Sequence, residues 1–261
     1  LKKLGPDHPS IAITYNNLGS VYDRKGQYDR AMSYYQKALR IKLKTLGSEH
    51  PGVATTYHNL GLVYEKKGRY EQAIGYYQKA LVIRVKKLGP RHSSVVAIYH
   101  NLGSAYKRKG LYDKAIAYYH KALIIQLKKL GLEHPSVATT YHNLGAVYDK
   151  KGQYDQAIAY YQKALTIDLK KLGLDHPKVA TTYNNLGSVY DSKGQYKQSI
   201  AYYQKSLTIR VKKLGPEHPK VALTLHNLSY VYRSKKDFST ARKFAKQAVT
   251  IAQKRLGNNH P

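Results

Sequence analysis

The sequence predicts an all-α protein in which six helix pairs stack into a solenoid. A glycine recurs every 42 residues, and apolar residues within each repeat follow the helical spacing i, i+3, i+4, i+7 in two runs separated by a break. Because stacked repeats share one continuous core, we predict a single domain over residues 1–261. The repeats are approximately 5–46, 47–88, 89–130, 131–172, 173–214 and 215–257.

Each repeat is predicted to hold two helices, which we call helix A and helix B. In the first repeat Gly26 separates them, since glycine readily takes the left-handed conformation that ends a helix. Pro9 suits the first turn of helix A, with His8 just ahead of it. Helix B is predicted to be long, and small residues predict that the two helices pack at the short end of the roughly 8 to 10 Å range of interaxial distances. The small residues are Gly19 in helix A and Ala31 and Ala38 in helix B.

The composition narrows the choice of partners. Lys and Arg number 45 against 15 Asp and Glu, a net charge of +30, which favours an acidic or phosphorylated partner. The absence of cysteine excludes disulfides and thiolate metal sites and favours a reducing compartment, so we expect a cytoplasmic protein. No apolar run reaches the 18 or so residues of a membrane helix, and none of the catalytic, phosphate-loop or paired-carboxylate patterns is evident, so we expect neither an enzyme nor a cofactor.

The motif Y-x2-L-G-x2-Y followed by A-x3-Y resembles the tetratricopeptide pattern, W-x2-L-G-x2-Y with A-x3-F. That repeat is 34 residues long, and the additional residues, IKLKTLGSEHPGVA in the first linker, are predicted to lengthen helix B and the next helix A by about a turn each. Lengthened repeats with LGxxHPxVAxTxNNL joints are most similar to those of kinesin light chains and nephrocystin-3-type proteins. The resemblance implies an α-α superhelix, a right-handed solenoid of six tetratricopeptide-type helix pairs.

An asparagine recurs in every helix A, within segments such as TYNNLGSVYDRKG at Thr14–Gly26. It belongs to a stripe separate from the apolar one, and the resemblance places this stripe in a concave groove. Because an amide offers both an acceptor oxygen and a donor NH2, it can pair with the backbone of an extended peptide. We therefore predict a peptide-binding groove with candidate residues Asn17, Asn59, Asn101, Asn143, Asn185 and Asn227, flanked by His58, His100 and His142 and by the cations Arg24, Lys66, Arg108 and Lys150.

The resemblance also suggests which peptide is bound. Kinesin light chain repeats take internal, extended cargo peptides with acidic residues around an apolar anchor. The carboxylate clamp of cochaperone repeats uses a second asparagine after the motif glycine, where this chain has Ser20, Leu62, Ser104, Ala146 or Ser188. The prediction is thus a non-enzymatic adaptor for an extended, acidic segment of another protein.

Two predictions concern the histidines. Those of the groove, His58, His100, His142 and His226, are expected to charge below about pH 6.5 and to tighten an acidic peptide. Those of the linkers recur on the order of 10 Å apart, too far to share a metal ion, so they are expected to cap helices or pack in the linkers. The linker histidines are His8, His50, His92, His134, His176, His218 and His260.

Three alternatives remain open. The asparagines could bond to a neighbouring helix or to the backbone four residues back. The basic charge could serve a helical-repeat module that binds RNA or DNA, although four acidic groove residues interrupt the basic stripe. Finally, the last repeat departs from the pattern at Leu225, Ser229, Lys236 and Ala245 and resembles a terminal unit, whereas the first does not, so head-to-tail self-association through the first repeat is a further expectation.

Overall fold

The structure is a computed structural model that describes Gly5 and residues 7–256, with side chains described as far as residue 254. Twelve helices and no strands occur in this part of the chain, which confirms the predicted all-α class and the six helix pairs. The helices are α1 Pro9–Arg24, α2 Tyr28–Leu46, α3 Pro51–Lys66, α4 Tyr70–Leu88, α5 Ser93–Arg108, α6 Tyr112–Leu130, α7 Pro135–Lys150, α8 Tyr154–Leu172, α9 Pro177–Ser192, α10 Tyr196–Leu214, α11 Pro219–Ser234 and α12 Phe238–Leu256.

The helix ends follow the expected punctuation. Each helix A spans 16 residues and each helix B spans 19, so helix B is indeed the longer. Gly26, after α1, has a φ of 71°. In the last repeat Lys236 takes this conformation with a φ of 66°, which a side chain with a Cβ adopts less readily than glycine.

The chain divides into two compact units, residues 1–129 and 130–261, and each is described by itself. In the first unit, Met32 and Tyr35 of α2 form a buried cluster with Leu60 and Val63 of α3. In the second unit α8 packs on α9 in the same register, with Tyr161 and Leu186 in the corresponding cluster. Within each unit, helix B of one repeat therefore packs against helix A of the next.

A tyrosine lies over a glycine inside each of the first five helix pairs. Tyr77 of α4 is fully buried, and a Cβ added to Gly61 of α3 would lie 2.5 Å from its ring. The distance is too short for a real contact, so only glycine admits the ring and the two helices approach closely, as the small residues predicted. The pairs are Gly19 with Tyr35, Gly61 with Tyr77, Gly103 with Tyr119, Gly145 with Tyr161 and Gly187 with Tyr203.

Ion pairs recur with the repeat on the surface. Lysines near the end of helix B pair with an acidic residue of the linker that opens the same repeat, as Lys86 does with Glu49. Other lysines reach the preceding helix pair, as Lys67 does to Asp29. In the described residues, the acidic residues that pair with lysine in this way include Asp7, Asp23, Asp29, Glu49, Glu71, Glu133, Asp155, Asp168, Asp175 and Glu217.

None of the helices in the described residues is sufficiently long and apolar to cross a lipid bilayer.

Candidate functional site

The candidate site is the row of asparagines on helix A, which we call the amide stripe. It comprises one residue per repeat, Asn17, Asn59 and Asn101 in the first unit and Asn143, Asn185 and Asn227 in the second. Asn17 is exposed and the other five are half-buried, whereas the leucine that follows each of Asn59, Asn101, Asn143, Asn185 and Asn227 is fully buried. The stripe therefore borders the core but retains access to solvent.

Three asparagines of the stripe are hydrogen-bonded to the preceding helix A. In each case the side-chain Nδ2 meets the residue that immediately precedes the stripe asparagine of the previous repeat. Part of the hydrogen-bonding capacity of these amides is thus used in contacts between repeats. This agrees with the first of the alternatives above, in which the asparagines bond to a neighbouring helix. The pairs are Asn59 with Asn16 Oδ1 at 3.5 Å, Asn101 with His58 Nε2 at 2.6 Å, and Asn227 with Asn184 Oδ1 at 3.4 Å.

A second row of polar side chains lies beneath the stripe, on helix B. We call it the connector row: Lys42, Arg84, Gln126, Asp168 and Arg210, one in each of the first five repeats. Lys42 donates from Nζ to Thr56 Oγ1 at 2.9 Å and to the Gly52 carbonyl at 3.2 Å, both in the next helix A. Arg84, Asp168 and Arg210 likewise contact the helix A that follows them.

Arg210 makes the most extensive contacts of the row, although only 4% of it is exposed. Its Nη1 donates to Thr224 Oγ1 at 2.5 Å, to the Lys220 carbonyl at 2.9 Å and to Asn184 Oδ1 at 3.2 Å. Asn184 is also the acceptor for Asn227, so this connector is linked directly to the amide stripe.

Asp168 is the acidic member of the row and is 1% exposed. His142 Nε2 lies 3.1 Å from its Oδ2, and Lys178 Nζ donates to its Oδ1 at 3.5 Å. His142 Nε2 also lies 2.9 Å from Thr182 Oγ1, and that hydroxyl donates to the Lys178 carbonyl. A buried carboxylate is therefore paired with an imidazole and an ammonium group.

The expectation that the groove histidines charge together below about pH 6.5 is wrong for two of them. Burial, with a contribution from the Arg84 guanidinium, lowers the pKa of His58 to about 4. Burial also lowers the pKa of His100 below its usual value. Both rings lie beside buried tyrosines, Tyr77 and Tyr119, so they are neutral at physiological pH and serve as hydrogen-bonding groups rather than as cations.

The four cations predicted to flank the groove differ in their contacts within the protein. Lys66 Nζ donates to both carboxylate oxygens of Asp23, at 2.7 and 2.8 Å, and Arg24 donates to Ser20 at 3.4 Å. Arg108 and Lys150 are exposed. Some of these four cations therefore have partners within the protein, and others are exposed.

Glu65, which directly precedes Lys66 in α3, also has hydrogen-bonding partners within the protein. It accepts hydrogen bonds from the Tyr77 hydroxyl at 2.8 Å and from Ser104 Oγ at 2.7 Å. Its carboxylate thus lies at the end of the tyrosine that covers Gly61, and connects that tyrosine to the next helix A.

The linker histidines cap helices. In each helix A the ring Nδ1 of the preceding histidine accepts a hydrogen bond from the backbone N–H two residues later, as His50 does from Gly52 at 2.9 Å. The other capping residues described are His8, His92, His134, His176 and His218, whereas His260 lies outside the described residues. Across the described part of the chain, no three side chains of His, Asp or Glu come together as a metal site.

Comparison with protein-family models identifies the repeats. Models described as "Tetratricopeptide repeat" match residues 11–52 and residues 33–86, 94–170, 150–210 and 178–254. The chain belongs to the tetratricopeptide repeat family. Tetratricopeptide repeats generally mediate protein–protein interactions, which agrees with a candidate site built from the faces of helices.

Several solved structures are similar to this one. A Podosopora anserina protein named as a kinesin light chain with nearly identical TPR-like repeats has 28% identity and a TM-score of 0.70, and the match covers 78% of this chain and 97% of that one. BtubC (BKLC) from P. vanneervenii has 26% identity and a TM-score of 0.70, with 90% and 92% covered. The apo form of RapI, at 17% identity and a TM-score of 0.70, shares the fold over 93% and 98% of the two chains. A comparison with curated protein sequences gave no match.

Proposed function

We propose that the amide stripe binds the backbone of an extended, acidic segment of a partner protein, so that the chain acts as a non-enzymatic adaptor. The observation that carries this proposal is the hydrogen-bonding capacity that the stripe amides retain. A primary amide has two N–H donors and an acceptor oxygen, and where a bond to the preceding helix forms it uses one donor. The other N–H and the oxygen then remain for the backbone of a partner.

The spacing of the stripe suits an extended peptide. Helices A of successive repeats are on the order of 10 Å apart, and an extended chain rises about 3.3 Å per residue. One amide is therefore available for roughly every three residues of a bound strand. Backbone pairing at this interval does not depend on the partner's side chains.

The charge of the chain supports an acidic partner. The chain has 45 basic and 15 acidic residues, so basic residues outnumber acidic ones three to one. Several of the acidic residues are themselves paired with lysine, as Glu49 is with Lys86. The protein therefore carries a large excess of positive charge. A segment rich in Asp and Glu is attracted to such a surface, and its association is accelerated.

Substituting alanine for the three stripe residues of the second unit, Asn143, Asn185 and Asn227, is expected to weaken peptide binding by about 100-fold. Each lost backbone contact contributes about 1 kcal/mol, so three correspond to about two orders of magnitude in Kd. The probe is an octapeptide selected from a random display library by the wild-type protein and synthesised with blocked ends. Its Kd is measured by fluorescence anisotropy.

The matched control removes amides from the exposed face of helix B, by alanine at Gln162 and Gln204. We expect this variant to bind the peptide as the wild type does, and circular dichroism to show equal helicity for both variants. Equal affinity of the wild type and the triple variant would contradict backbone capture by the stripe.

Nucleic acid is a second candidate partner, favoured by cations that lie over aromatic rings. Lys37 Nζ lies 5.7 Å from the Tyr15 ring centroid and 5.4 Å from that of Tyr34. The pattern recurs at Lys79, Lys121, Lys163 and Lys205. Basic groups interleaved with aromatic rings are typical of surfaces that bind single strands.

Salt distinguishes the two candidates. Between about 50 and 200 mM salt we expect the affinity for a uridine oligomer to fall by at least about 100-fold, because phosphate binding releases counterions. The selected octapeptide, held in part by backbone hydrogen bonds, is expected to lose less than about tenfold over the same range. The opposite ranking, with oligomer binding retained and peptide binding lost, would favour nucleic acid.

A further inference from the structure

The connector row differs in charge from one repeat to the next, and the bonding of the amide stripe differs with it. Lys42, Arg84 and Arg210 are cationic, whereas Asp168 is a carboxylate. Arg84, Asp168 and Arg210 each lie near the residue that precedes the stripe asparagine of their own repeat, which is His58, His142 and Asn184 respectively. That residue is the bonding partner of the next repeat's asparagine, so the connector can influence what the stripe offers to a ligand.

Where the connector is cationic, the residue above it accepts the next asparagine. Arg210 donates to Asn184 Oδ1, and the same oxygen accepts from Asn227 at 3.4 Å. Arg84 lies near His58, whose Nε2 faces Asn101 Nδ2 at 2.6 Å. A guanidinium has only donors and disfavours a proton on a neighbouring imidazole, so the ring nitrogen keeps its lone pair for the amide.

The repeat with Lys42 has the same outcome, since Asn16 Oδ1 accepts from Asn59 Nδ2 at 3.5 Å. Lys42 itself donates to the following helix. Three cationic connectors are thus each accompanied by a stripe asparagine whose NH2 group is bonded to the preceding helix.

Asp168 reverses this arrangement. A carboxylate only accepts hydrogen bonds, and His142 Nε2 lies 3.1 Å from Asp168 Oδ2, so we infer that Nε2 carries the proton of this bond. The hydroxyl of Thr182 gives its own proton to the Lys178 carbonyl, so it also acts as an acceptor for His142 Nε2. Nε2 then has no lone pair to offer the next stripe residue, which is Asn185.

Asn185 accordingly differs from the three bonded members of the stripe. Within the described part of the chain the Asn185 side chain makes no hydrogen bond. Asn185 is nevertheless half-buried, and its neighbours in sequence are the half-buried Asn184 and the fully buried Leu186. A partner that bonds to this amide satisfies a polar group that is partly removed from water, and finds both N–H donors available.

We propose that Asp168 is a specificity-determining residue that makes Asn185 the anchor of the peptide site. The inference rests on the proposed function and deepens it, because it locates the stripe amide at which a partner's backbone binds most strongly. Asp168 acts as a positioning residue, through the proton on His142, and does not touch the partner.

The first test does not require a peptide. Long-range 15N–1H spectra of the histidine side chains, recorded at neutral pH and assigned with His58→Gln and His142→Gln, report which ring nitrogen carries a proton. We expect Nε2 to be protonated in His142 and unprotonated in His58. An unprotonated Nε2 in His142 would overturn the inference.

The second test uses the library-selected octapeptide. We expect Asn185→Ala to weaken its binding by at least about tenfold and Asn227→Ala by no more than about threefold, since the alanine at 227 removes an amide that is already partly bonded. Asp168→Arg gives the fourth repeat the same connector residue as the second and fifth repeats. In this background we expect Asn185→Ala to weaken binding by only about threefold.

Asp168→Gln provides a second background in case the arginine variant fails to fold. Gln126 occupies the connector position of the third repeat, with its Nε2 facing His100 Nε2 at 3.4 Å, so the chain already accommodates this residue. The same reduction is expected. Equal effects of the alanines at 227 and 185 in the wild type would overturn the anchor alone. A wild-type protein that selects no peptide would overturn the proposed function and the anchor with it.

Discussion

Replacing Gly61 by alanine is expected to lower the free energy of unfolding by about 2 kcal/mol. The added Cβ would lie 2.5 and 2.6 Å from two carbons of the Tyr77 ring, which is fully buried and cannot rotate into solvent. Overpacking typically costs about 1–3 kcal/mol, and this short contact places the site at the upper end, while alanine recovers up to about 1 kcal/mol of helix propensity. Urea denaturation followed by circular dichroism measures the change.

Gly75 provides the matched control. It also lies inside a helix, α4, but a Cβ added there meets no atom within 4 Å. Gly75→Ala is therefore expected to stabilise the protein by up to about 1 kcal/mol, through helix propensity alone. Substitutions with the same sign and size at the two glycines would contradict the steric role assigned to Gly61.

Replacing Tyr77 by alanine is expected to have a larger effect, a loss of about 3–5 kcal/mol, as for other buried aromatic residues. The substitution removes a fully buried ring that fills the space between α3 and α4. It also removes the hydroxyl that donates to Glu65 at 2.8 Å. Tyr77→Phe separates the two contributions, because it retains the ring and loses only the hydrogen bond.

The double variant Gly61→Ala with Tyr77→Ala tests whether one contact explains both results. Without the ring, the alanine at 61 has space, so in this background Gly61→Ala is expected to stabilise the protein as Gly75→Ala does. The coupling energy from the cycle should then reach about 2–3 kcal/mol, the upper part of the range for residues in contact. Additive effects of the two substitutions would show that positions 61 and 77 contribute to stability independently.

The fold could be predicted from the sequence because it depends on local signals that recur. The 42-residue spacing indicates a repeat, the glycine after α1 indicates a helix end, and the proline at the start of α1 indicates a helix start. Because these signals agree across the repeats, the assignment does not depend on any single copy. Histidine at the N-cap was also predicted, as one of two possibilities. The structure selects capping, through bonds such as that from the Gly52 N–H to His50 Nδ1.

The candidate site was predicted less completely because it depends on contacts between repeats. Spacing within α3 identifies Asn59 as a residue outside the apolar stripe, but does not show that its Nδ2 reaches Asn16, 43 residues earlier in the chain. The pKa of His58 likewise depends on Arg84, a residue of the following helix, and on burial, neither of which is visible in the local pattern. Both residues remain candidates for peptide binding, but as neutral hydrogen-bonding groups.

The connector row was missed although the sequence contained a signal. Continuing the helical spacing of Tyr35, Ala38 and Leu39 places Lys42 on the core-facing side of α2, where an apolar residue is expected. A polar residue in that register, present in five consecutive repeats, indicates buried hydrogen bonds. The identity of the partners, such as Thr56 for Lys42, could come only from the packing of one repeat on the next.

The varied connectors have a consequence for the order in which the repeats assemble. Nearly identical units that emerge one after another during synthesis are prone to stack on the wrong neighbour. Asp168 is paired with the ammonium of Lys178 in the next helix A, whereas α5 has Ser94 at the corresponding position. A fourth repeat misplaced against α5 would bury its carboxylate without that ammonium, a penalty on the order of 3–5 kcal/mol, so Asp168 favours the correct order of the repeats.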